Sequence, residues 1–226
     1  MRSFWRVLSY SYLLLLPAML AFAQRPDTTV SPWEEEIRQF ERADSLRPPP
    51  QGAILFVGSS SIRMWETLQQ DFPGYQVINR GFGGSELGDA LRFADRIILP
   101  YRPRVVIIYA GDNDLANGKA AEQIFSDFKQ LVLLIHQHLP DARIGYISIK
   151  PSLARWTLVG KMKQTNKLIR AYSFQDRRVA YLDIFTPMLG KDGTPTKELL
   201  APDGLHLSKE GYALWKKVVE PFLGQE

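Results

Sequence analysis

A glycine followed by three serines, Gly58-Ser59-Ser60-Ser61, stands directly after the apolar run Ala53 to Val57. The run reads as a strand buried on both faces, ending where small hydroxyl side chains begin. A serine hydroxyl does acyl-transfer chemistry only when a base takes its proton and hydrogen-bond donors meet the developing oxyanion. The chain holds three histidines, His136, His138 and His206. The first two flank the apolar stripe of a helix and read as surface or boundary residues. His206 lies in a loop, three residues after Asp203. A carboxylate so placed can hold the imidazole in the tautomer that leaves Nε2 free for a serine proton. Donors are on offer at the backbone N–H of Ser60, the N–H of Gly84 in Gly81-Phe82-Gly83-Gly84, and the side-chain amide of Asn113 in Gly111-Asp112-Asn113-Asp114. Glycine lets backbone approach a ligand closely. Each segment also has a plainer reading, because serine commonly caps a helix start and Asp-x-x-His fits a turn followed by a cap.

The elements that must position these residues alternate. Strands are expected at 53–57, 75–78, 105–110, 144–149 and 179–184, with helices at 62–70, 86–99, near 161–172 and after Ser208 as N-cap. A further helix carries Ile124, Phe128, Leu131, Val132 and Ile135 along one face. Strands alternating with helices imply right-handed crossovers and a three-layer α/β/α domain with a mostly parallel, five-stranded, flavodoxin-like sheet. In such a sheet the strand ends that carry Ser60, Gly84 and Asn113 share one edge. The segment after the fourth strand, Lys150 to Trp156, reaches the same edge and reads either as a substrate wall with Arg155 and Trp156 as contacts or as a packed connector. Upstream, Ser31-Pro32-Trp33-Glu34 has the form of a capping box with Ser31 as N-cap, and Trp33, Ile37 and Phe40 recur at helical spacing. Pro48-Pro49-Pro50 ends that helix and spaces it from the first strand.

The whole chain narrows the function classes. Its 226 residues suffice for one domain with a full core. Arg2 and Arg6, the apolar Leu13 to Leu16 and Met19-Leu20, and Ala21-Phe22-Ala23 read as a signal peptide over residues 1–23, so a periplasmic or secreted protein is expected. Without Arg2 and Arg6, the 28 basic residues become 26 against 24 acidic ones, which gives no electrostatic case for nucleic acid. The apolar segment is short for a bilayer span and is interrupted by Pro17, so no stable membrane insertion is expected. There is no cysteine, hence no disulfide and no thiolate metal site.

Taken together, four segments resemble the SGNH hydrolases, the GDSL-type esterases and lipases, in the family's order. They are Gly58-Ser59-Ser60-Ser61-Ile62, Gly81-Phe82-Gly83-Gly84, Gly111-Asp112-Asn113-Asp114 and Asp203-Gly204-Leu205-His206. The resemblance implies the SGNH hydrolase fold over 51–226, behind a helix and Pro-rich spacer at 24–50. It implies Ser60 as nucleophile, His206 as base, Asp203 as its partner, and Ser60, Gly84 and Asn113 as oxyanion donors, with no metal or other cofactor. One departure is Ser59, where the family usually has aspartate, which leaves the register open among Ser59, Ser60 and Ser61. Asp112 and Asp114 are expected to be structural or to line the loop, their spacing matching no metal-ligand pattern. The implied reaction is ester hydrolysis through an acyl-enzyme, on a small-molecule or glycan ester such as a carbohydrate O-acetyl group. The alternatives are a lysophospholipase or thioesterase, and a non-catalytic flavodoxin-like domain that binds a ligand or glycan.

Overall fold

Alternate residues of the first strand, β1 (Ile54–Gly58), feed two different cores. Leu55 and Val57 point to one face of the sheet with Val106 and Ile108, while Ile54 and Phe56 point to the other with Ile107 and Tyr109. Both faces are therefore covered, as the continuous apolar runs require. The computed structural model describes residues 31–224; the expected signal peptide lies outside the described residues. Five parallel strands, β1, β2 (Val77–Gly81), β3 (Val105–Tyr109), β4 (Arg143–Ile147) and β5 (Val179–Leu182), are ordered β2-β1-β3-β4-β5. This is the flavodoxin-like order, and its register pairs Gly58 with both Gly81 and Tyr109. The polar strand ends thus meet at one edge.

Nine α-helices are described: α1 (Glu34–Leu46), α2 (Ser60–Arg63), α3 (Leu68–Asp71), α4 (Leu87–Arg92), α5 (Ala94–Ile97), α6 (Asp112–Ala116), α7 (Ala121–His138), α8 (Val159–Ser173) and α9 (Lys209–Leu223). The stripe expected on α7 is fully buried at all five positions. Burying each such side chain contributes about 1.5–3 kcal/mol, so packing rather than propensity holds this helix. On the opposite face α9 brings Trp215, Val219 and Phe222 inward. Ser208 caps it as expected, its Oγ accepting from the Gly211 N–H at 3.1 Å. Among the described residues, no helix is long and apolar enough to cross a membrane.

Three local expectations are corrected. The helix expected to start from a cap at Ser31 starts later: α1 begins at Glu34 with Trp33 in the cap position, and the Glu34 carboxylate accepts from Arg38 and Arg96. The helix expected at 62–70 is two single turns, α2 and α3, because the chain bends to bury Trp65, whose Nε1 donates to Asp71 at 2.7 Å. Strand β2 runs on through Asn79 and Arg80, although polar residues there suggested a loop. Arg80 is almost fully buried because α1 supplies Asp44 as its ion-pair partner at 2.5 Å and Tyr101 accepts from its Nε at 2.8 Å. Helix α1 is accordingly part of the same unit as the sheet, with Ile37 wholly inside the core.

Candidate functional site

The serine turn is shaped by backbone crowding. Gly58 has φ +143°, and a Cβ there would sit 1.8 Å from the Tyr109 carbonyl oxygen. Only glycine lets β1 pass β3 so closely and then turn into α2. Ser59 and Ser61 flank the turn with their side chains inside the protein, 2% and 1% exposed respectively. Of the three serines, Ser60 is the one that lines the cavity. The Asp203–His206 loop arrives from beyond β5. A left-handed Gly204 at φ +65° closes the turn, and the Ala201 N–H bonds the His206 carbonyl at 2.8 Å. Tyr212 on α9 donates to the Ser61 carbonyl at 3.0 Å, tying this loop's helix to the serine turn across 151 residues.

In the assembled site His206 Nε2 lies 3.1 Å from Ser60 Oγ, and His206 Nδ1 lies 2.6 Å from Asp203 Oδ2. With Nδ1–H donating to the carboxylate, Nε2 keeps its lone pair for the serine proton. The other Asp203 oxygen accepts from the Leu205 and His206 N–H groups at 2.9 Å each. The His206 side chain and these two backbone donors hold the Asp203 carboxyl down to about 2.

On the other side of Ser60 are the expected donors. Gly84, at φ +78° and exposed, and Ser60 both present backbone N–H groups that meet no acceptor among the described residues. Asn113 Nδ2 donates to the Ser85 carbonyl at 3.0 Å, which occupies one of its two N–H bonds. These groups line a cavity of about 520 Å³ together with Glu36, Arg63, Gly83, Asp112, Arg155, Leu205 and His206. Leu205 is the one aliphatic side chain among the described lining residues.

Several members of this wall were not legible as site residues. Trp33 donates from Nε1 to the Gly83 carbonyl at 2.7 Å, and Glu36 accepts from the Gly83 N–H at 3.4 Å, so α1 grips the loop that carries Gly84. Nothing in sequence links positions about fifty residues apart, although their i, i+3 spacing on one helix face is a signal that they act together. Arg155 lines the cavity as expected, but its guanidinium is turned to Asn113 and Asp112 rather than left open. Trp156, half-buried in the turn Trp156–Leu158, is not among the described residues lining the cavity. Asp112 is buried against Lys150 at 2.7 Å and Arg155 at 2.8 Å. Burial pushes its carboxyl up, but Lys150 and Arg155 outweigh that and hold it below its ordinary value. Asp114, wholly buried, accepts from the Leu87 N–H and pairs with Lys119 at 3.1 Å. Both aspartates are thus tied to cations of the protein itself.

Known proteins are similar to this chain. Over 175 residues the chain is 29% identical to platelet-activating factor acetylhydrolase IB subunit alpha1 of Homo sapiens, covering 75% of this chain and 74% of that protein. A GDSL-like lipase from Bacteroides thetaiotaomicron has the same fold, with a TM-score of 0.71 at 18% identity over 83% of this chain and 96% of that one. So does an acetyl-xylooligosaccharide esterase from Geobacillus, with a TM-score of 0.63 at 16% identity over 78% and 96%. The match that decides the family runs from residue 51 to residue 214 and takes in all four segments around the cavity. On that span the chain belongs to the GDSL-like lipase/acylhydrolase family, and it is an ester hydrolase of the SGNH type.

Proposed function

We propose that Ser60, His206 and Asp203 are the catalytic triad of an exported esterase that removes short acyl groups, above all O-acetyl groups on carbohydrate or other polar alcohols. The observation that carries this reading is the unbroken chain from Asp203 through His206 to Ser60, opening on a cavity walled by polar and charged groups. Ser60 Oγ attacks the ester carbonyl while His206 Nε2 takes its proton. The oxyanion that forms is met by the N–H groups of Ser60 and Gly84 and by the Asn113 amide. His206 returns the proton to the departing alcohol, leaving an acyl-Ser60. Water then adds to that acyl carbon, with His206 as base, and the acid leaves. Asp203 stays ionised throughout, stabilising the imidazolium.

The acyl preference rests on the wall. A single leucine among charged neighbours offers little apolar surface for a long chain, while the polar remainder suits a hydroxylated alcohol half. Two similar proteins carry acetyl removal in their names, which supports the same direction. Export rests on the basic and apolar pattern of residues 1–23 and is tested by the N-terminal sequence of protein recovered outside the cytoplasm. The test of the chemistry is labelling by a fluorophosphonate in wild type and Ser60→Ala, beside a chain-length series of p-nitrophenyl esters and acetylated xylan. Labelling lost in Ser60→Ala with fastest turnover of acetyl esters is expected. Preference for long acyl chains would point to a lysophospholipase or thioesterase. Neither labelling nor turnover would leave a binding domain.

A further inference from the structure

We propose that Arg155 is the positioning residue of the oxyanion hole: it locks the Asn113 amide with its N–H toward the reacting carbonyl and strengthens that N–H as a donor. The inference rests on the oxyanion role assigned to Asn113 above. Both terminal nitrogens of Arg155 donate to the same atom, Asn113 Oδ1, at 3.1 Å each. The other end of the amide donates to the Ser85 carbonyl at 3.0 Å. Turning the amide over would set its NH2 against the guanidinium and its oxygen against the Ser85 carbonyl. Both contacts would then be repulsive, donor on donor and acceptor on acceptor. One orientation is therefore held from both ends, and it leaves the second Nδ2–H unspent at the cavity. A cation on an amide oxygen also draws electron density from the conjugated nitrogen, which makes its N–H a stronger donor to an anion.

The charges around Arg155 point the same way. Asp112 is buried and already has a full partner in Lys150, itself 1% exposed, at 2.7 Å. The Asp112–Lys150 pair balances without help. Arg155, 2.8 Å from the other Asp112 oxygen, is the surplus positive charge of the cluster. It lies on the oxyanion side, where a negative charge appears only during the reaction. Without Arg155 the buried Asp112 carboxylate still has Lys150 as its cation, at 2.7 Å. Its committed geometry separates Arg155 from a residue kept open for substrate.

The test is steady-state kinetics on p-nitrophenyl acetate with full-length Arg155→Met, Arg155→Lys, Asn113→Ala and the Asn113→Ala/Arg155→Met double variant, each checked for folding by circular dichroism. Losing an oxyanion donor outright costs about 10²–10³-fold in kcat, so losing its orientation is expected to cost about 10–100-fold. Arg155→Met is expected to lose that in kcat with KM within about twofold. Arg155→Lys, which keeps the charge but not the fork, is expected to recover part of it. In the Asn113→Ala background Arg155→Met is expected to cost little more, because the group it positions is gone. A rise in KM with unchanged kcat would make Arg155 a substrate contact and overturn the proposal. The same fold-loss in both backgrounds would overturn it alone, leaving the oxyanion role of Asn113 intact. An Asn113→Ala enzyme with wild-type kcat would sink the reading of the site and this inference together.

Discussion

Replacing Asp203 by asparagine tests the site at the atom that decides which way its proton moves. Asp203 Oδ1 already accepts two backbone N–H groups, from Leu205 and His206, so the amide oxygen of the asparagine stays there and its NH2 faces His206 Nδ1. Nδ1 must then accept, and the ring proton moves to Nε2. That nitrogen lies 3.1 Å from Ser60 Oγ and would donate toward the hydroxyl instead of taking its proton. In a fully buried triad this tautomer error costs about 10⁴ in kcat. Here the Asp203 side chain is 49% exposed, so water can compete for Nδ1 and part of the loss is relieved. The 2.6 Å contact itself is a charge-assisted hydrogen bond, a class worth about 1.5–3 kcal/mol. We therefore expect a loss of about 10²–10³-fold in kcat on p-nitrophenyl acetate, with KM within about threefold. A loss under about fivefold would mean that something other than Asp203 orients His206, and the triad would be refuted. Stability gives an independent check. The folded pKa of Asp203, about 2, lies below its ordinary value of 3.8. Its contribution is thus complete above the unfolded value and disappears as pH falls from about 4 toward 2. Urea midpoints measured from pH 5 to pH 2 should converge between wild type and Asp203→Asn; parallel curves would contradict the assigned pairing.

Other perturbations address the supports. Trp33→Phe keeps the aromatic edge against Phe82 but removes the hydrogen bond to the Gly83 carbonyl; kcat is expected to fall by up to about tenfold, the value of one neutral hydrogen bond, and an unchanged kcat would show that α1 does not brace the Gly84 loop. Lys119→Met strips the shared cation from Asp114, Glu86 and Asp127; a loss of about 3 kcal/mol in urea unfolding at pH 7 is expected. Burial has already raised the Asp114 pKa, so that loss should shrink as pH is lowered, and a pH-independent deficit would argue against it. Gly58→Ala puts a methyl 1.8 Å from the Tyr109 carbonyl oxygen at a φ that L-residues avoid. Soluble protein at wild-type levels, with a thermal midpoint within about 2 °C of wild type, would contradict the close approach of β1 and β3.

Where sequence reading succeeded and where it failed follows from the range of the interaction concerned. Strands β1 and β3 were legible as continuous apolar runs and helix α7 as a periodic apolar stripe, which are local properties. The end of β2 was not, because Arg80 is tolerated in a strand only through Asp44, 36 residues earlier, and Tyr101, 21 residues later. The start of α1 was misplaced for a related reason: Glu34, expected to reach back to Ser31, is drawn to Arg96, 62 residues away. Arg155 was placed on the edge where it lies, but its protein partners were not foreseen. The end of β4 delivers it to the cavity, but only the packed structure shows it closing on Asn113, 42 residues back. The candidate site escaped this limit because a parallel sheet gathers strand ends at one edge whatever their separation, so order and residue type were enough to place Ser60, Gly84 and Asn113 around one cavity. His206 and Asp203 had no such guarantee, since they follow β5 at the far edge. They reach Ser60 because α9 crosses back under the sheet, Trp215 packing on Tyr109 at the end of β3 and Tyr212 bonding the serine turn. The apolar stripe of α9 is therefore as much a determinant of the Asp203–His206–Ser60 chain as the Asp-x-x-His spacing, and a substitution that moved Trp215 would move His206.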